Sequence, residues 1–330
     1  MKFQFFHKSK QIGRPKCVLR WQHKFGMWLT VWLFFLHFSG YCRSESSNDS
    51  PIVILKSKEL VPYNLAQEGF QDVVGKDRDS VFILDDKSLK TKQIFSEIHR
   101  RSPRLLHVIG TPAARLAVSQ NVNLPVVFSM ILNPEIVADI EGPVASCIAL
   151  PAPYALFQNL QNLMPDVERI GTVYNPDNTT FLVTEGQKVA GALGLELTAL
   201  PVSSLGDALK SLEKLSMKVD AMWLLPDRTV MTPQSFEFML LTSFRKRIPL
   251  IAISEKYVQQ GALMTLKVDY QKMGRQAGRM AEQILSNSIR KKRITVFARG
   301  SKLVINMKTA EKLGIRVPPS ILEEASVIKK

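Results

Sequence analysis

Short apolar runs of strand length alternate with amphipathic stretches of helical length from residue 51 onward. This alternation is typical of parallel β-sheets that are covered by helices on both faces. In the first part of the chain the pattern predicts strands at residues 52–55, 81–84, 105–109 and 126–128, and helices at residues 63–74, 89–101 and 112–120.

A second set of the same kind follows. It predicts strands at residues 169–174, 196–200, 221–225, 250–253 and 262–266, and helices at residues 153–163, 180–193, 205–216, 233–247 and 270–285. Ser204 is a plausible N-cap with Asp207 three residues on. Met273 and Met280 recur at helical spacing, which predicts core packing. The chain closes with a predicted strand at 302–306 and a helix at 309–313.

The chain beyond its basic start is too long for one typical hydrophobic core. Gly142, Pro143, Pro151 and Pro153 interrupt the pattern, so we expect a break near residues 142–152. The predicted fold class is therefore α/β, with two doubly wound, Rossmann-like lobes.

Residues 1–43 carry eight Lys or Arg and no acid, and an apolar run extends from Phe25 to Phe38. A basic region, an apolar region and small residues are the parts of a secretory signal. The run of 14 residues is shorter than a membrane-spanning helix requires. We predict a leader over 1–43 and a polar tether over 44–50. Cleavage, retention as an anchor and lipidation at Cys42 remain open alternatives.

Removing the leader changes the charge argument. The chain has a net charge of +15, but 36 basic and 29 acidic residues, a net +7, follow residue 43. The dense run at residues 290–293 follows a predicted helix and is interpreted as its solvated end. We therefore expect no nucleic-acid partner. Cys147 is the lone cysteine beyond the leader and is predicted to be a small buried side chain.

Polar residues directly after predicted strands are the candidates for ligand contacts, since ligands of doubly wound sheets bind beyond the carboxyl ends of the strands. Thr111 is predicted to cap a helix, either as a plain cap or at a helix N-terminus that would also hold a ligand carboxylate. Asp227 would meet a cationic group of the ligand, or form a local salt bridge or cap. Asp269 would cap the next helix or face the ligand. The full set of candidates is Thr111, Tyr174, Asn175, Asp227, Ser254 and Asp269.

Motifs for catalysis are absent from the sequence. There is no GxSxG, GxxxxGK[ST] or GxGxxG, no CxxC and no HExxH, and His99 and His107 are the only histidines after the leader. We therefore predict a protein that is not an enzyme and that has no catalytic residues, no metal and no cofactor.

Several segments in order resemble the substrate-binding protein family of ABC transporters that includes tryptophan- and phenylalanine-type binders. The resemblance runs over about residues 51–326 and is carried by their order and spacing. These segments are Glu68-Gly69-Phe70, residues 109–114, 124–128 and 169–176, Val268-Asp269-Tyr270, Gly274-Arg275-Gln276, residues 303–306, Leu313-Gly314 and Val317-Pro318-Pro319.

This resemblance implies a type I periplasmic binding protein-like fold with a hinge, and chain crossings near residues 148, 267 and 307. The first lobe would then comprise 51–148 with about 268–306, and the second 149–267 with about 307–330. It implies capture of an amino acid-like ligand or small anion between the lobes. It also implies a monomer in the periplasm or on the outer face of the cytoplasmic membrane, docking on an ABC permease.

The chain departs from the family pattern at Leu132-Asn133-Pro134, at residues 143–146 and at Asp227-Arg228-Thr229. Hydroxyls and a carboxylate are lost and a guanidinium is gained near the expected pocket. A small anion is therefore an alternative to an amino acid as the ligand. The alternative function is an exported sensory or interaction module that signals to a membrane partner. A LacI-like regulator would need a helix-turn-helix where this chain has an apolar leader.

Overall fold

The computed structural model describes residues 51–328 except 77–78, 85–90 and 289–292. The predicted leader and tether lie outside the described residues. The strands are β1 (Ile52–Lys56), β2 (Asp79–Ile83), β3 (Leu105–Ile109), β4 (Val126–Ile131), β5 (Val144–Pro151), β6 (Arg169–Tyr174), β7 (Glu196–Pro201), β8 (Ala221–Trp223), β9 (Leu250–Ile251), β10 (Met264–Lys267), β11 (Arg293–Ala298), β12 (Lys302–Asn306) and β13 (Ser326–Ile328).

The helices alternate with these strands, as the pattern predicts. They are α1 (Val61–Val74), α2 (Thr91–Arg101), α3 (Thr111–Ser119), α4 (Pro153–Leu163), α5 (Pro176–Ala192), α6 (Leu205–Leu215), α7 (Pro233–Lys246), α8 (Glu255–Gln259), α9 (Tyr270–Leu285), α10 (Met307–Leu313) and α11 (Pro319–Glu324), with a 3-10 turn at Pro134–Val137. No helix in this described part of the chain combines the length and the apolar character needed to cross a bilayer.

Within the described residues, the first lobe is built on six parallel strands in the order β11-β5-β4-β3-β1-β2. Successive side chains of β1 point to opposite faces of this sheet. Ile52 and Ile54 pack with α1 and α9, whereas Val53 and Leu55 pack with α2 and α3. Both faces are therefore covered, which explains why its strands are almost continuously apolar.

The second lobe is built on seven strands of the described chain, in the order β13-β12-β10-β9-β8-β6-β7. All neighbouring pairs are parallel except β10 with β12. Helices α4 and α5 cover one face, and α6 and α7 cover the other. The predicted fold class, two doubly wound α/β lobes, is confirmed.

The connections between the sheets differ from the prediction in one place. Most of residues 142–152 form β5, a strand that the sequence analysis did not predict, but the chain passes to the second lobe directly after it, at Ala152 and within the expected range. Pro143 and Pro151 are tolerated because they flank or end the strand, where a missing N–H costs little. The third connection lies at residues 299–301 and not near 307, because β12 pairs antiparallel with β10 in the second sheet.

Arg293 also corrects the interpretation of the basic run as a solvated helix end. It begins β11, and its guanidinium donates hydrogen bonds to the carbonyls of Val137, Ala138 and Ile140 at 2.6, 2.7 and 2.9 Å. The charge therefore satisfies carbonyls at the end of the 3-10 turn. Residues 290–292 lie outside the described part of the chain.

Helices α1 and α9 approach so closely that their contact requires glycine. A Cβ on Gly69 would lie 2.0 Å from the carbonyl oxygen of Gln271, and one on Gly274 would lie 2.1 Å from that of Ala66. Asp72 adds an ion pair to Arg275 at 2.9 Å. Two of the segments that carry the family resemblance are thus packing positions. They fix α9, which directly follows the second connection between the lobes, at residues 268–269.

Candidate functional site

The carboxyl ends of the parallel strands define one edge of each sheet, and the loops beyond them are where ligands bind in doubly wound folds. On the first lobe these loops follow β1, β3 and β4, and on the second they follow β6, β8 and β9. Among the described residues, a hydrogen bond joins the two sets: the Asn133 side-chain amide donates to the Asn178 carbonyl at 3.4 Å. Asn133 and Asn178 thus link the two lobes at the carboxyl ends of their strands.

On the first lobe, Ser57 organises the loop after β3. This side chain is 2% exposed, and its hydroxyl donates to the Ile109 carbonyl and accepts from the Ala113 N–H, both at 2.9 Å. It therefore satisfies an N–H in the first turn of α3 from another strand end. The sequence analysis missed Ser57, although it directly follows β1 and obeys the same positional rule as the other candidates.

Thr111 is not the N-cap of α3, as the sequence predicted. Gly110 occupies the cap position with φ +94°, a left-handed conformation that favours glycine, and the helix begins at Thr111. The half-buried Thr111 makes no cap hydrogen bond. Because Ser57 already takes the Ala113 N–H, this helix end has less capacity for a ligand carboxylate than predicted.

Tyr63 is a second residue that sequence reasoning missed as a site residue. A Cβ on Gly110 would lie 2.9 Å from the Tyr63 hydroxyl and 2.7 Å from the Ser57 Oγ, so the phenol end lies against this loop. Burial raises the pKa of the Tyr63 phenol, which keeps it protonated. A half-buried, neutral phenol beside Thr111 offers both an aromatic surface and a hydroxyl.

Lys56 is a buried lysine at the carboxyl end of β1. It is 3% exposed, and its ammonium donates to the Asn64 and Gln67 side chains at 2.8 and 2.9 Å. It also forms an ion pair with Glu59 at 2.9 Å. The hydrogen bond from Lys56 lowers the pKa of the Glu59 carboxyl. This charge is satisfied within the first lobe and fastens the β1–α1 loop to α1.

On the second lobe, Asp227 is the centre of a hydrogen-bond network. The side chain is 1% exposed, and its Oδ2 accepts from the Asn175 N–H at 2.6 Å and from the Thr179 hydroxyl at 3.0 Å. Its Oδ1 accepts from the Asn178 amide and the Thr229 N–H, both at 2.9 Å. The carboxylate therefore joins the loops after β6 and β8, which agrees with the local capping role that the sequence left open for Asp227 beside contact with a ligand cation.

Asn175 and Thr229 complete this network on its outer side. Asn175 caps α5 by accepting from the Asp177 N–H at 2.9 Å, and its amide donates to the Thr229 hydroxyl at 3.0 Å. Tyr174, at the end of β6, is half-buried against the core of the second lobe. Tyr174, Asn175 and Asp227 therefore lie in two loops that these hydrogen bonds join. The sequence had grouped the three residues only because each follows a predicted strand.

Ser254 and Asp269 differ in whether their side chains already make hydrogen bonds within the protein. Ser254 is the N-cap residue of α8, but its side chain makes no cap hydrogen bond, which leaves its hydroxyl available. Asp269 caps α9 by accepting from the Lys272 N–H at 2.9 Å and pairs with the Lys272 ammonium at 3.5 Å. The local capping alternative for Asp269 is therefore present in the structure.

A small apolar cavity of about 20 Å³, with room for about one water molecule, lies at the same end of the second sheet. Its walls include Pro151 from the first connection, Trp223 and Leu225 from the β8 end, and Pro226 and Ile253 from the following loops. Arg228, in the loop that Asp227 holds, is exposed. The departures at 143–146 do not contribute here, because they lie in or before the amino-terminal half of β5, at the opposite end of the first sheet.

Comparisons with known proteins agree with this architecture. The sequence model of the ABC transporter substrate binding protein family matches residues 63–329. A tyrosine-binding protein of Clostridioides difficile (strain R20291) is 23% identical over 259 residues, covering 74% of each chain. Two solved structures are also similar, and the family resemblance found in the sequence is confirmed.

The first is an ABC domain in complex with L-Trp from Streptococcus pneumonia, which is 25% identical with a TM-score of 0.54 over 84% of this chain and 100% of that one. The second is the ligand-free, open structure of a substrate binding protein with adhesive properties from Clostridium difficile. It is 20% identical with a TM-score of 0.65, over 85% of this chain and 99% of that one, and shows the fold. Given the family match over most of its length, the chain belongs to the ABC transporter substrate binding protein family.

Proposed function

We propose that this protein is the extracytoplasmic solute-binding component of an ABC importer and captures an amino acid with a large apolar side chain between its lobes. The observation that carries the proposal is the presence, at the carboxyl ends of both sheets, of half-buried aromatic and hydroxyl side chains that make no cap hydrogen bond. Ligand sites are mostly apolar surfaces with a few placed polar groups, and lobe closure around a ligand is a known form of hinge motion.

In this proposal the candidate residues have different roles. Tyr63, Thr111, Tyr174 and Ser254 contact the ligand, because their side chains are half-buried and make no cap hydrogen bond. Asn175 and Asp227 position the loops of the second lobe through the network described above. Asp269 acts as the cap of α9 at the hinge.

Arg228 accommodates both ligand classes that the sequence left open. Its exposed guanidinium follows Asp227 in a loop that is fixed by hydrogen bonds. A guanidinium binds a carboxylate through two parallel hydrogen bonds. The anionic group expected from Arg228 is therefore the carboxylate of the amino acid, while the half-buried rings of Tyr63 and Tyr174 offer an apolar surface to its side chain. The ligands named for the relatives, tyrosine and L-Trp, support this choice.

The remaining parts of the proposal concern location and partners. The leader over residues 1–43 directs export, so the folded part acts in the periplasm or on the outer face of the cytoplasmic membrane. It acts as a monomer, and its closed form docks on an ABC permease. Family membership supports this arrangement.

The test is a binding screen on the purified protein by isothermal titration calorimetry. L-tyrosine, L-tryptophan, L-phenylalanine and L-leucine form one group, and phosphate, citrate and L-aspartate form the other. We expect binding in the first group, weakened roughly tenfold or more by Arg228→Gln and little affected by the control Arg316→Gln, which changes an exposed arginine elsewhere. If only the second group binds, the ligand class is a small anion and not an amino acid. If no compound binds, the proposed capture of a small ligand is contradicted.

A further inference from the structure

A groove of about 1190 Å³ lies where the three connections between the lobes come together. Its walls include Ala152 from the first connection, Leu266 beside the second and residues 298–303, which contain the third connection and the strand ends on either side of it. None of the six residues predicted to bind the ligand lines it. The groove is therefore a separate cavity whose walls belong to both lobes.

The lining of this groove carries an excess of positive charge. Lys272, Arg299 and Lys302 line it, against the single acid Glu324 among the described lining residues. The Lys272 ammonium also forms an ion pair with the Asp269 carboxylate at 3.5 Å. Within the part of the chain that the structure describes, the side chains of Arg299 and Lys302 form neither a hydrogen bond nor an ion pair. These two exposed cations are thus not paired with Glu324 and are available to an anion from solution.

The turn that carries these two cations is held in place. Gln276 is buried, and its amide donates to the Phe297 carbonyl at 3.0 Å while its oxygen accepts from the Arg299 N–H at 3.1 Å. Gly300 adopts φ +75°, and a Cβ there would lie 2.9 Å from the Lys272 Cδ. The turn is therefore fixed against α9, which holds Arg299 and Lys302 beside Lys272 before any ligand arrives.

We propose that this groove binds a small multivalent anion bearing phosphate or carboxylate groups, and that the anion regulates the hinge. Its walls come from both lobes, so its affinity for the anion depends on the angle between them. Linkage is reciprocal, so an anion that prefers one angle changes the affinity of the cleft for its own ligand by the same factor. An anion in this groove and the ligand in the cleft are then coupled.

The first test measures anion binding on the full chain without any cleft ligand. Pyrophosphate and citrate are titrated at constant ionic strength into the wild type, into Arg299→Gln/Lys302→Gln and into Lys210→Gln/Lys218→Gln. The last variant removes two exposed charges elsewhere. We expect equal affinity for the wild type and the control, and roughly tenfold or greater weakening in the groove variant. Preference for one probe identifies the anion as phosphate or carboxylate.

Equal binding to all three proteins, or none to the wild type, would overturn the site. The second test adds the cleft ligand, and its dissociation constant should change on saturation with the anion in the wild type and the control but not in the groove variant. An unchanged constant in the wild type overturns the coupling. The first test needs no cleft ligand, so its outcome is independent of the proposed transport function.

Discussion

The two lobes fix their ligand-facing loops by different means. In the first lobe, the hydrogen bonds of Ser57, the buried ammonium of Lys56 and the close backbone packing of α1 on α9 share this role. In the second, Asp227 holds two loops at once and is the one buried carboxylate among the described side chains. The first arrangement distributes its stability over many contacts, whereas the second concentrates it on a single charged group. The second lobe is therefore the more vulnerable to one substitution.

Replacing the carboxylate of Asp227 should have the largest effect. Asp227→Ala leaves the Asn175 N–H, the Thr179 hydroxyl and the Thr229 N–H without an acceptor, and we expect a loss of about 3–5 kcal/mol in the free energy of unfolding. Urea denaturation measures the loss, and hydrogen exchange should increase at residues 175–179 and 227–230.

The control for this prediction is Asp207→Ala, which removes an exposed carboxylate that accepts a hydrogen bond from Ser204 within one helix turn. It should cost less than about 1 kcal/mol. If both variants lose the same stability, the second lobe does not depend on its buried carboxylate in the way described.

Close helix packing in the first lobe provides the next test. Gly274→Ala places a Cβ 2.1 Å from the Ala66 carbonyl oxygen, and forcing α1 and α9 apart should cost about 2–3 kcal/mol. Gly191→Ala in α5 is the matched control, because its Cβ would meet no atom within 4 Å. The control should be neutral or gain up to about 1 kcal/mol, since alanine favours a helix. Equal effects of the two substitutions would contradict the packing argument.

A buried histidine makes the first lobe sensitive to acid. His107 is fully buried, stacks on Phe70 with ring centroids 3.8 Å apart and pairs its Nε2 with the Ser129 hydroxyl at 2.9 Å. Burial lowers its pKa from 6.5 to about 3. Below pH 6.5 the unfolded chain binds a proton that the folded chain does not, so stability should fall between about pH 6.5 and 3.

The slope over this range is about 1.4 kcal/mol per pH unit, which amounts to about 2 kcal/mol at pH 5. Urea denaturation at several pH values measures it. His107→Gln should flatten the dependence whatever its stability at neutral pH, whereas His99→Gln, at an exposed position, should retain it. A slope that is unchanged in His107→Gln would assign the acid sensitivity to other groups.

The sequence predicted elements best where a strong period continues without interruption. The strand Leu105–Ile109 and the helix Tyr270–Leu285 have the predicted bounds, because apolar spacing determines both. β5 was not predicted as a strand, because prolines stand before it, at its end and after it. Cys147 was nevertheless predicted correctly as a buried side chain, and burial raises its pKa to about 12.

The site was less predictable, because its contacts are distant along the chain. A positional rule identifies Asp227 and Ser254 as residues that follow strands. It cannot show whether their side chains are already hydrogen-bonded to other residues of the protein. Asp227 finds its partners about fifty residues earlier in the sequence, and Ser57 bonds with Ile109 and Ala113 at similar separations. Only the folded topology brings these groups together, so the sequence predicted their location and not their role.

Removing the Ser57 hydroxyl should have the smallest effect and would sharpen the contrast between the lobes. Ser57→Ala removes the hydrogen bonds with Ile109 and Ala113, and we expect a loss of about 1–2 kcal/mol, as for other helix caps. Ser119→Ala, at the exposed end of the same helix, removes a hydrogen bond to the Leu116 carbonyl and should cost less than about 0.5 kcal/mol. Hydrogen exchange at Ala113 should increase only in Ser57→Ala. A loss as large as that of Asp227→Ala would mean that the first lobe also depends on one side chain.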